Sequence, residues 1–310
     1  MSKLLNELDR DSKEVSETLL RDSLIQNVAH VFSELSALNS HPVNPFSLYA
    51  SYLSQVPSAE LFEENDAGEF FHILLERISL EASQNHLPSV SSIFESSLVV
   101  DYECGFCRET SSFVEFHLEI PRQKIYTEYF VNKNTGDGVW RIVPPDVEDC
   151  IDFSLRKDAQ NGKCKCANES FPNRVKFGSL PNTLVINVNR VAFNGGKSSK
   201  DSGHIQISPN IDMTPFVHPE YPGALFSLTA VVVHHGKYAG TGHYSVYSKR
   251  DTGWCHFNDT EFTDISLKST TEVCELFASS HPAILFYQRE TETQAGYVEL
   301  YQRLRPGNTL

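Results

Sequence analysis

The sequence predicts an α+β fold, with helices in residues 1–97 and β-strands in most of residues 98–290. Between residues 23 and 80, apolar side chains recur every three or four positions, which is the helical period. From residue 98 onward, short runs rich in Val, Ile, Tyr and Phe are separated by turn residues, which is typical of β-strands. Two such runs, 240–247 and 254–259, flank a polar segment that ends in Gly, and we expect them to form a β-hairpin.

Composition narrows the class of protein. The chain has 310 residues, of which 40% are hydrophobic, enough for a sizeable core in one large domain or two small ones. Its net charge of −14 argues against sequence-independent binding to nucleic acid, which needs clustered Lys and Arg, and fits either a basic partner or simple solubility. No apolar run approaches the roughly 20 residues of a membrane span, so we expect no membrane partner.

The cysteines and the first residues predict a cellular location. There are seven Cys, an odd number without the regular spacing of a disulfide scaffold, and they include two close pairs. The first residues are too charged for a signal peptide. We therefore expect an intracellular protein, cytoplasmic or nuclear, with a metal site rather than a secreted, disulfide-linked protein.

Three helices are expected in the first part of the chain, at residues 23–38, 44–53 and 66–80. The third has the clearest apolar stripe. Asp66 and Glu69 are three positions apart, so they share one face of its first turn. Acids in a first helical turn usually serve only to complement the helix dipole, and that is the ordinary interpretation of this pair.

Strands are expected at 179–191, where Leu-Pro leads into an apolar run, at 226–234 and at 283–289. The run at 226–234 is almost uninterrupted, so we expect it to lie in the centre of a sheet. The Gly-, Ser- and Lys-rich segment 194–203 is predicted to be a mobile, exposed turn. Residues 291–310 are predicted to form a charged C-terminal tail.

Two close cysteine pairs, Cys104 with Cys107 and Cys164 with Cys166, occur in the β-rich part of the chain. Four thiolates from two such knuckles suit a tetrahedral, structural zinc ion. We therefore expect zinc at these four residues, with free structural thiols or a decayed metal site as the alternatives.

The predicted hairpin brings a histidine and an amide together. A turn in the middle of its polar segment sets His243 opposite Asn258, with Cβ atoms roughly 4.5–5.5 Å apart. The Asn carbonyl would then hold Nδ1–H of the imidazole and leave Nε2 free to accept a proton from a nucleophile. An ordinary polar cross-strand pair is the alternative. His234 and His235, just before the hairpin, have no predicted partner and are assigned to the surface.

The hairpin resembles the histidine box of the ubiquitin-specific proteases, papain-like cysteine proteases that cut after the C-terminus of ubiquitin. The matching residues, in chain order, are Gly242, His243, Tyr244, Tyr247, Trp254, Phe257, Asn258 and Asp259. The resemblance implies that His243 is the general base and that Asn258 orients it. It also implies that Asp259 is a second polar residue beside the site and that Tyr244 contacts the substrate.

A second motif, at residues 65–75, resembles the family sequence Gln-Gln-Asp-Ala-x-Glu-Phe-Leu-x-x-Leu-Leu. In that family the two acids meet arginine in the ubiquitin tail by charge-assisted hydrogen bonding. The resemblance thus implies that Asp66 and Glu69 bind substrate. Glu64 and Asn65 replace the family's Gln pair, which is a departure from the pattern.

The resemblance also implies an architecture and a partner, namely ubiquitin or a ubiquitinated protein. It corresponds to a papain-like fold with a helical thumb at 1–97, zinc-knuckle β fingers at 98–225 and an antiparallel β palm at 226–290. Cys150 falls in a segment that resembles the family's helix before the second knuckle, where it would be a buried thiol.

The family's opening motif, Gly-Asn-Thr-Cys-Tyr-Met-Asn-Ser-x-Leu-Gln, carries the nucleophilic Cys, whereas this sequence has no Cys before Cys104. The register that we favour aligns Met1 with the internal Met of the motif, which would place the nucleophile two residues upstream of Met1. Three interpretations follow. In the first, the chain is part of a longer, working deubiquitinase. In the second, it is a pseudo-deubiquitinase that binds ubiquitin or acts as a scaffold. The third is an acidic, zinc-bearing interaction module without a ubiquitin role.

Overall fold

The structure, a computed structural model, describes twelve segments of the chain. They are residues 23–36, 43–56, 66–86, 89–102, 104, 106–121, 126–131, 138–158, 172–194, 197–238, 241–277 and 280–290. The chain divides into two compact units, Met1–Ser92 and Ile93–Leu310. In the described segments, every helix is too short or too polar to cross a membrane.

The first unit contains the three predicted helices. They are α1 (Leu24–Ser36), α2 (Phe46–Gln55) and α3 (Ala67–Gln84). In α3 the buried residues Leu75, Ile78 and Ala82 recur at helical spacing and face the unit's interior. The small core of this unit contains one member of each helix and the residue that follows α2; these are Leu24, Tyr52, Ile78 and Val56.

Within the described segments, the second unit contains all of the strands and two further α-helices. In chain order the strands are β1 (Ser96–Tyr102), β2 (Arg108–Phe113), β3 (Phe116–Leu118), β4 (Tyr126–Val131), β5 (Gly138–Val143), β6 (Pro172–Phe177), β7 (Thr183–Val188), β8 (Val191–Asn194), β9 (Lys197–Lys200), β10 (Asn210–Asp212), β11 (Leu225–His235), β12 (His243–Arg250), β13 (Gly253–Asn258), β14 (Glu261–Asp264) and β15 (Pro282–Arg289). The helices are α4 (Val147–Asp158) and α5 (Thr270–Leu276).

One large sheet organises this unit. Its strand order is β14-β13-β12-β11-β15-β7-β3, with β10 paired to β11, and only the β3–β7 pair is parallel. Strand β11 lies between β12 and β15, so the prediction of a central strand at 226–234 is confirmed. Strands β3, β7 and β10 come from the range assigned to the fingers, which therefore contributes to this sheet as well as to the smaller sheet β2-β1-β6.

Helix α4 packs its apolar face into the core of the second unit. Val147, Cys150 and Ile151 are fully buried there. The prediction that Cys150 is a buried thiol is confirmed. Asp149 donates its backbone N–H to Asp146 Oδ1 at 2.7 Å, which satisfies one of the free amides at the start of the helix.

The segment 194–203 differs from its prediction as a mobile turn. Strands β8 and β9 pair antiparallel there, with Val191 opposite Lys200 and Asn194 opposite Lys197. The two glycines between these runs are a common sequence signal for a two-residue hairpin connection. The polar composition of the second run hid that signal, because backbone pairing does not require apolar side chains.

Candidate active site

The turn of the β12–β13 hairpin is centred one residue further along the chain than predicted, between Asp251 and Thr252. Arg250 pairs with Gly253, and Tyr247 pairs with His256, whereas the predicted register, with His243 opposite Asn258, would set Tyr247 opposite Trp254. Gly253 has φ +121°, and a Cβ there would lie 2.8 Å from Ser266 Cα, so the two-residue turn depends on glycine at this position. The predicted register is therefore wrong by two residues. A slip of two keeps every side chain on its predicted face of the sheet.

His243 and Asn258 consequently meet along a diagonal rather than directly across the strands. His243 Nε2 lies 2.5 Å from Asn258 Oδ1. An amide oxygen can only accept, so Nε2 carries the hydrogen and donates it. The sequence-based expectation that Nδ1 would make this bond is wrong, because the diagonal approach presents the far edge of the ring. Nδ1 is left as the basic nitrogen.

Asp259 lies next to this pair at the end of β13. Its Oδ2 is 3.9 Å from His243 Nε2, within ion-pair range but too far for a hydrogen bond, and its side chain is 78% exposed. Its backbone has φ 52°, a left-handed conformation that Asp tolerates better than most residues, where the chain turns into β14. The carboxylate therefore does not compete with Asn258 for the ring hydrogen. Its predicted catalytic role stays a prediction.

Two further histidines, His235 and His256, share the face of His243. Neither has a predicted role at the site; His235 is predicted at the surface, and it is exposed. His235 lies opposite His243, with ring centroids 6.1 Å apart, and its Nε2 is 2.7 Å from Ser245 Oγ. Burial lowers the pKa of His235, and nearby His243 lowers it further. Burial also lowers the pKa of His256. Both neighbours are therefore uncharged at neutral pH, so neither adds a positive charge beside His243. Side chains two positions apart on a strand lie on the same face, and this alternation is the signal that would have placed both histidines there.

Helix α5 supports the other end of the hairpin. The Tyr247 ring stacks on His256 at 4.1 Å and meets Phe277 edge-on at 5.0 Å. Trp254 is 1% exposed and donates its indole N–H to Thr270 Oγ1 at 3.1 Å. The candidate site is thus built on two strands held by a packed helix, which keeps its side chains in fixed rotamers.

Tyr244 and His234 lie on the opposite face of the sheet from His243, since side chains alternate along a strand. Their ring centroids are 4.8 Å apart. His234 is only 6% exposed, so its assignment to the surface is wrong; the polar neighbours in sequence concealed a packed position. Its Nδ1 lies 2.9 Å from Lys200 Nζ. The role of Tyr244 in substrate binding stays a prediction.

Asp66 and Glu69 belong to the first unit, which is described by itself. Asp66 is the N-cap of α3, and its Oδ1 accepts from the backbone N–H groups of Gly68 at 2.9 Å and Glu69 at 3.1 Å. Asp66 therefore has the structural role that acids at a helix start commonly have. Both carboxylates are exposed at this helix start. Their role in binding the ubiquitin tail stays a prediction.

The first cysteine knuckle lies at the connection between β1 and β2. Cys104 and Cys107 are both partly exposed, and the Cys107 N–H points at Cys104 Sγ at 3.3 Å. Cys164 and Cys166 lie outside the described residues. Within the described segments, no group of three or more His, Cys, Asp or Glu could hold a metal ion, so the structure describes only half of the predicted site.

Three other cysteines are unsuited to act as the nucleophile. Cys150, Cys255 and Cys274 are all buried. Burial raises the pKa of Cys150 and of Cys274 to about 12, and it also raises the pKa of Cys255. A catalytic thiol needs the opposite environment, one that is partly exposed and lowers its pKa.

Comparison with curated proteins gives several relatives of this chain. It is 27% identical over 298 residues to ubiquitin carboxyl-terminal hydrolase 44 of Ailuropoda melanoleuca, covering 81% of this chain and 40% of that protein. It is 24% identical over 311 residues to ubiquitin carboxyl-terminal hydrolase 3 of Homo sapiens, covering 88% of this chain and 58% of that protein. The chain therefore spans between 40% and 58% of the length of these two relatives.

Solved structures with a similar fold include two SAGA DUB modules that contain Ubp8, Sgf11, Sus1 and Sgf73. One of them aligns with a TM-score of 0.64 and 19% identity, covering 87% of this chain and 59% of that chain. The other, bound to monoubiquitin, aligns with a TM-score of 0.61 and 18% identity, covering 79% of this chain and 53% of that chain. These similarities establish the papain-like α+β fold. The family model described as ubiquitin carboxyl-terminal hydrolase matches residues 2–287, so this chain belongs to that family as a ubiquitin-specific protease member.

Proposed function

We propose that this chain provides the acid–base residues and the ubiquitin-binding surface of a cysteine-type deubiquitinase. The reaction is hydrolysis of the peptide or isopeptide bond that follows the terminal Gly of ubiquitin. The observation that carries this proposal is the 2.5 Å contact between His243 Nε2 and Asn258 Oδ1 on a rigid hairpin. Family membership supplies the substrate class.

The geometry assigns a role to each polar group. Asn258 holds the imidazole in its Nε2–H tautomer, so the lone pair on Nδ1 is available to take a proton from a Cys thiol. The thiolate attacks the carbonyl carbon of the terminal Gly, and Nδ1–H of His243 protonates the leaving amine as the C–N bond breaks, which leaves a thioester. Nδ1 then takes a proton from a water molecule that attacks this thioester, and the thiol and the free ubiquitin carboxylate are released. Asp259, at 3.9 Å, favours the imidazolium that forms each time Nδ1 takes a proton.

Substrate binding and structural support come from elsewhere in the chain. Exposed carboxylates on Asp66 and Glu69 would pair with arginine in the ubiquitin tail. A zinc ion held by Cys104 and Cys107, together with Cys164 and Cys166, would brace the β-rich region that meets the body of ubiquitin. The seven cysteines lack the regular spacing of a disulfide scaffold, which fits a reducing compartment, the cytoplasm or the nucleus.

Hydrolysis of a fluorogenic ubiquitin amide by the native protein tests the proposal. His243→Ala should lower kcat/KM by at least about 10³-fold, since the general base is lost. Monoubiquitin affinity, measured by calorimetry, should change by less than about threefold, because the imidazole contributes to proton transfer rather than to binding. Activity that survives the substitution would remove His243 from the mechanism.

The second candidate function is a pseudo-deubiquitinase that binds ubiquitin without cutting it. It is favoured by the raised pKa values of the three buried cysteines, none of which suits attack on a carbonyl. Intact mass and terminal-peptide mass spectrometry of the protein from its source cells separate the two functions. A segment that contains Asn-Thr-Cys-Tyr before Met1 supports the enzyme, whereas a native protein without one supports the binding function.

A further inference from the structure

The ammonium group of Lys200, the last residue of β9, makes three contacts at the end of β11. Its Nζ lies 2.9 Å from His234 Nδ1, 3.4 Å from the carbonyl oxygen of His234 and 2.7 Å from that of Gly236. A lysine ammonium can donate three hydrogen bonds and can accept none. Its whole donor capacity is thus directed at the segment that leads from β11 toward His243.

These contacts determine the protonation state of His234. Because Nζ can only donate, Nδ1 must accept, and the ring must be neutral with its hydrogen on Nε2. His234 is 6% exposed, so a charged imidazole beside a lysine would also be costly. The contact with Lys200 therefore requires a single tautomer of His234.

The neutral ring of His234 lies beside Gly236 and Gly242, the two ends of the following loop. A Cβ added to Gly242 would overlap His234 Nε2 and would lie 2.5 Å from the carbonyl oxygen of His235. A Cβ added to Gly236 would lie 2.6 Å from the carbonyl oxygen of Thr241. The two ends of the loop, at Gly236 and Gly242, thus pack closely with His234, and the residue after Gly242 is His243.

Lys200 is itself held in place by the neighbouring backbone. The next residue, Asp201, donates its N–H to the carbonyl oxygen of Arg190 at 2.6 Å. Arg190 is 7% exposed, and its guanidinium donates to the carbonyl oxygens of Gly203 and of Pro282, the latter at 3.1 Å. The end of β9 is thereby tied to the start of β15, a central strand of the large sheet. Lys200 therefore extends from a firmly anchored position.

We propose that Lys200 is a positioning residue for the candidate active site. Its ammonium holds His234 as the neutral Nε2–H tautomer and fastens the two carbonyls at the start of the loop, so that Gly242 and His243 occupy one position. Lys200 acts through His234, on the face of the sheet opposite His243, and does not touch the reacting atoms. The catalytic consequence rests on the proposed function, whereas the tautomer and the position of the loop do not.

Long-range ¹H–¹⁵N NMR of the ring nitrogens in the 310-residue chain tests the first step. The expected result is a neutral His234 ring with hydrogen on Nε2 and none on Nδ1. Lys200→Met, which keeps the aliphatic stem, should yield a mixture of tautomers and should shift the backbone amide signals of Gly242 and His243. A His234 ring that carries hydrogen on Nδ1 in the unmodified chain would overturn the proposal, even if the variant fails to fold.

Lys237→Met is the matched control, because Lys237 is an exposed lysine in the same loop, placed over the Tyr238 ring. It removes the same charge and should leave the His234 tautomer and the His243 amide unchanged. Equal effects of the two substitutions would show that net charge, and not the three contacts of Lys200, sets the loop, and would overturn the proposal.

Kinetics in the native protein separate this proposal from the proposed function. Lys200→Met should lower kcat by about 10-fold or more with KM within about threefold, as expected when a catalytic base is misplaced and binding is retained. An unmodified protein that shows the expected tautomer but cleaves no ubiquitin amide refutes the deubiquitinase function and leaves the positioning role intact. A changed tautomer with an unchanged kcat refutes the catalytic consequence of the positioning role.

Discussion

Two hairpins of the second unit carry predicted site residues, and they differ in how completely their own sequence defines a site. In β12–β13, His243 and Asn258 are fifteen residues apart, and the pairing of two adjacent strands is enough to bring them into contact. In β1–β2, Cys104 and Cys107 provide only two of four predicted ligands, and the other pair comes from a distant segment. Two residues of one hairpin meet once the two strands pair in the correct register. A site shared by two distant segments also requires the chain between them to close a long loop, which costs entropy.

The two hairpins differ in support as well. The β12–β13 hairpin packs on α5 through Trp254, which is 1% exposed, and through Tyr247. At the β1–β2 connection, Phe106 between the two cysteines is 94% exposed. The β12–β13 hairpin is thus stabilised by apolar packing. At the β1–β2 connection, the predicted zinc ion would provide the stabilisation instead. This difference leads to three further predictions.

Asn258→Ala should have the largest effect, because it removes the acceptor that fixes the tautomer of His243. We expect a loss of kcat of about 10²-fold in the native protein, a typical contribution of an oriented general base. Asn258→Asp is the matched control, since a carboxylate oxygen can accept the same Nε2–H, and it should retain most of the activity. The measurement is the pH profile of ubiquitin-amide hydrolysis for both variants. Equal losses in the two would mean that Asn258 does not act by accepting this hydrogen.

Removal of zinc should have an intermediate effect that is confined to the β1–β2 side. We expect one zinc ion per chain by elemental analysis, and its loss in Cys104→Ser with a fall in Tm of roughly 5–10 °C, because structural zinc contributes folding free energy. NMR signals of His243 and Asn258 should stay unchanged, since packing on α5 supports that hairpin. A chain that contains no zinc, with Cys104→Ser as stable as the original, would identify free thiols instead.

Substitution of Asp66 should have the smallest effect on stability and should separate its two roles. Asp66→Ala removes the N-cap of α3 and should cost about 1 kcal/mol of unfolding free energy, whereas Asp66→Asn retains a capping oxygen and should cost only a few tenths. If the Asp66 carboxylate pairs with arginine in the ubiquitin tail, both variants should weaken monoubiquitin binding by a similar factor, because both remove the negative charge. Calorimetry and denaturant unfolding on the same samples measure the two effects. Full affinity in Asp66→Asn would limit Asp66 to capping.

Sequence reasoning worked best where a pattern repeats over a whole element. The alternation along β12 and β13 placed His243 and Asn258 on one face, and that placement survived a register error, because a slip of two residues conserves the faces. The same reasoning failed at the level of atoms. Which ring nitrogen meets Asn258 depends on the diagonal offset between the two residues. That offset depends on the position of the turn, which is predicted one residue too early.

The helical periods, the central apolar strand and the motifs that identify the family were all readable from the sequence, because each depends on residues that are close together in the chain. The contacts of Lys200 with His234, of His235 with Ser245 and of Trp254 with Thr270 were not readable. Lys200 lies in a run that looked like a mobile turn, and its partner lies thirty-four residues away, so no local pattern predicts their meeting. Only folding of the sheet brings the end of β9 beside the end of β11, and with it the ammonium group that we propose positions His243.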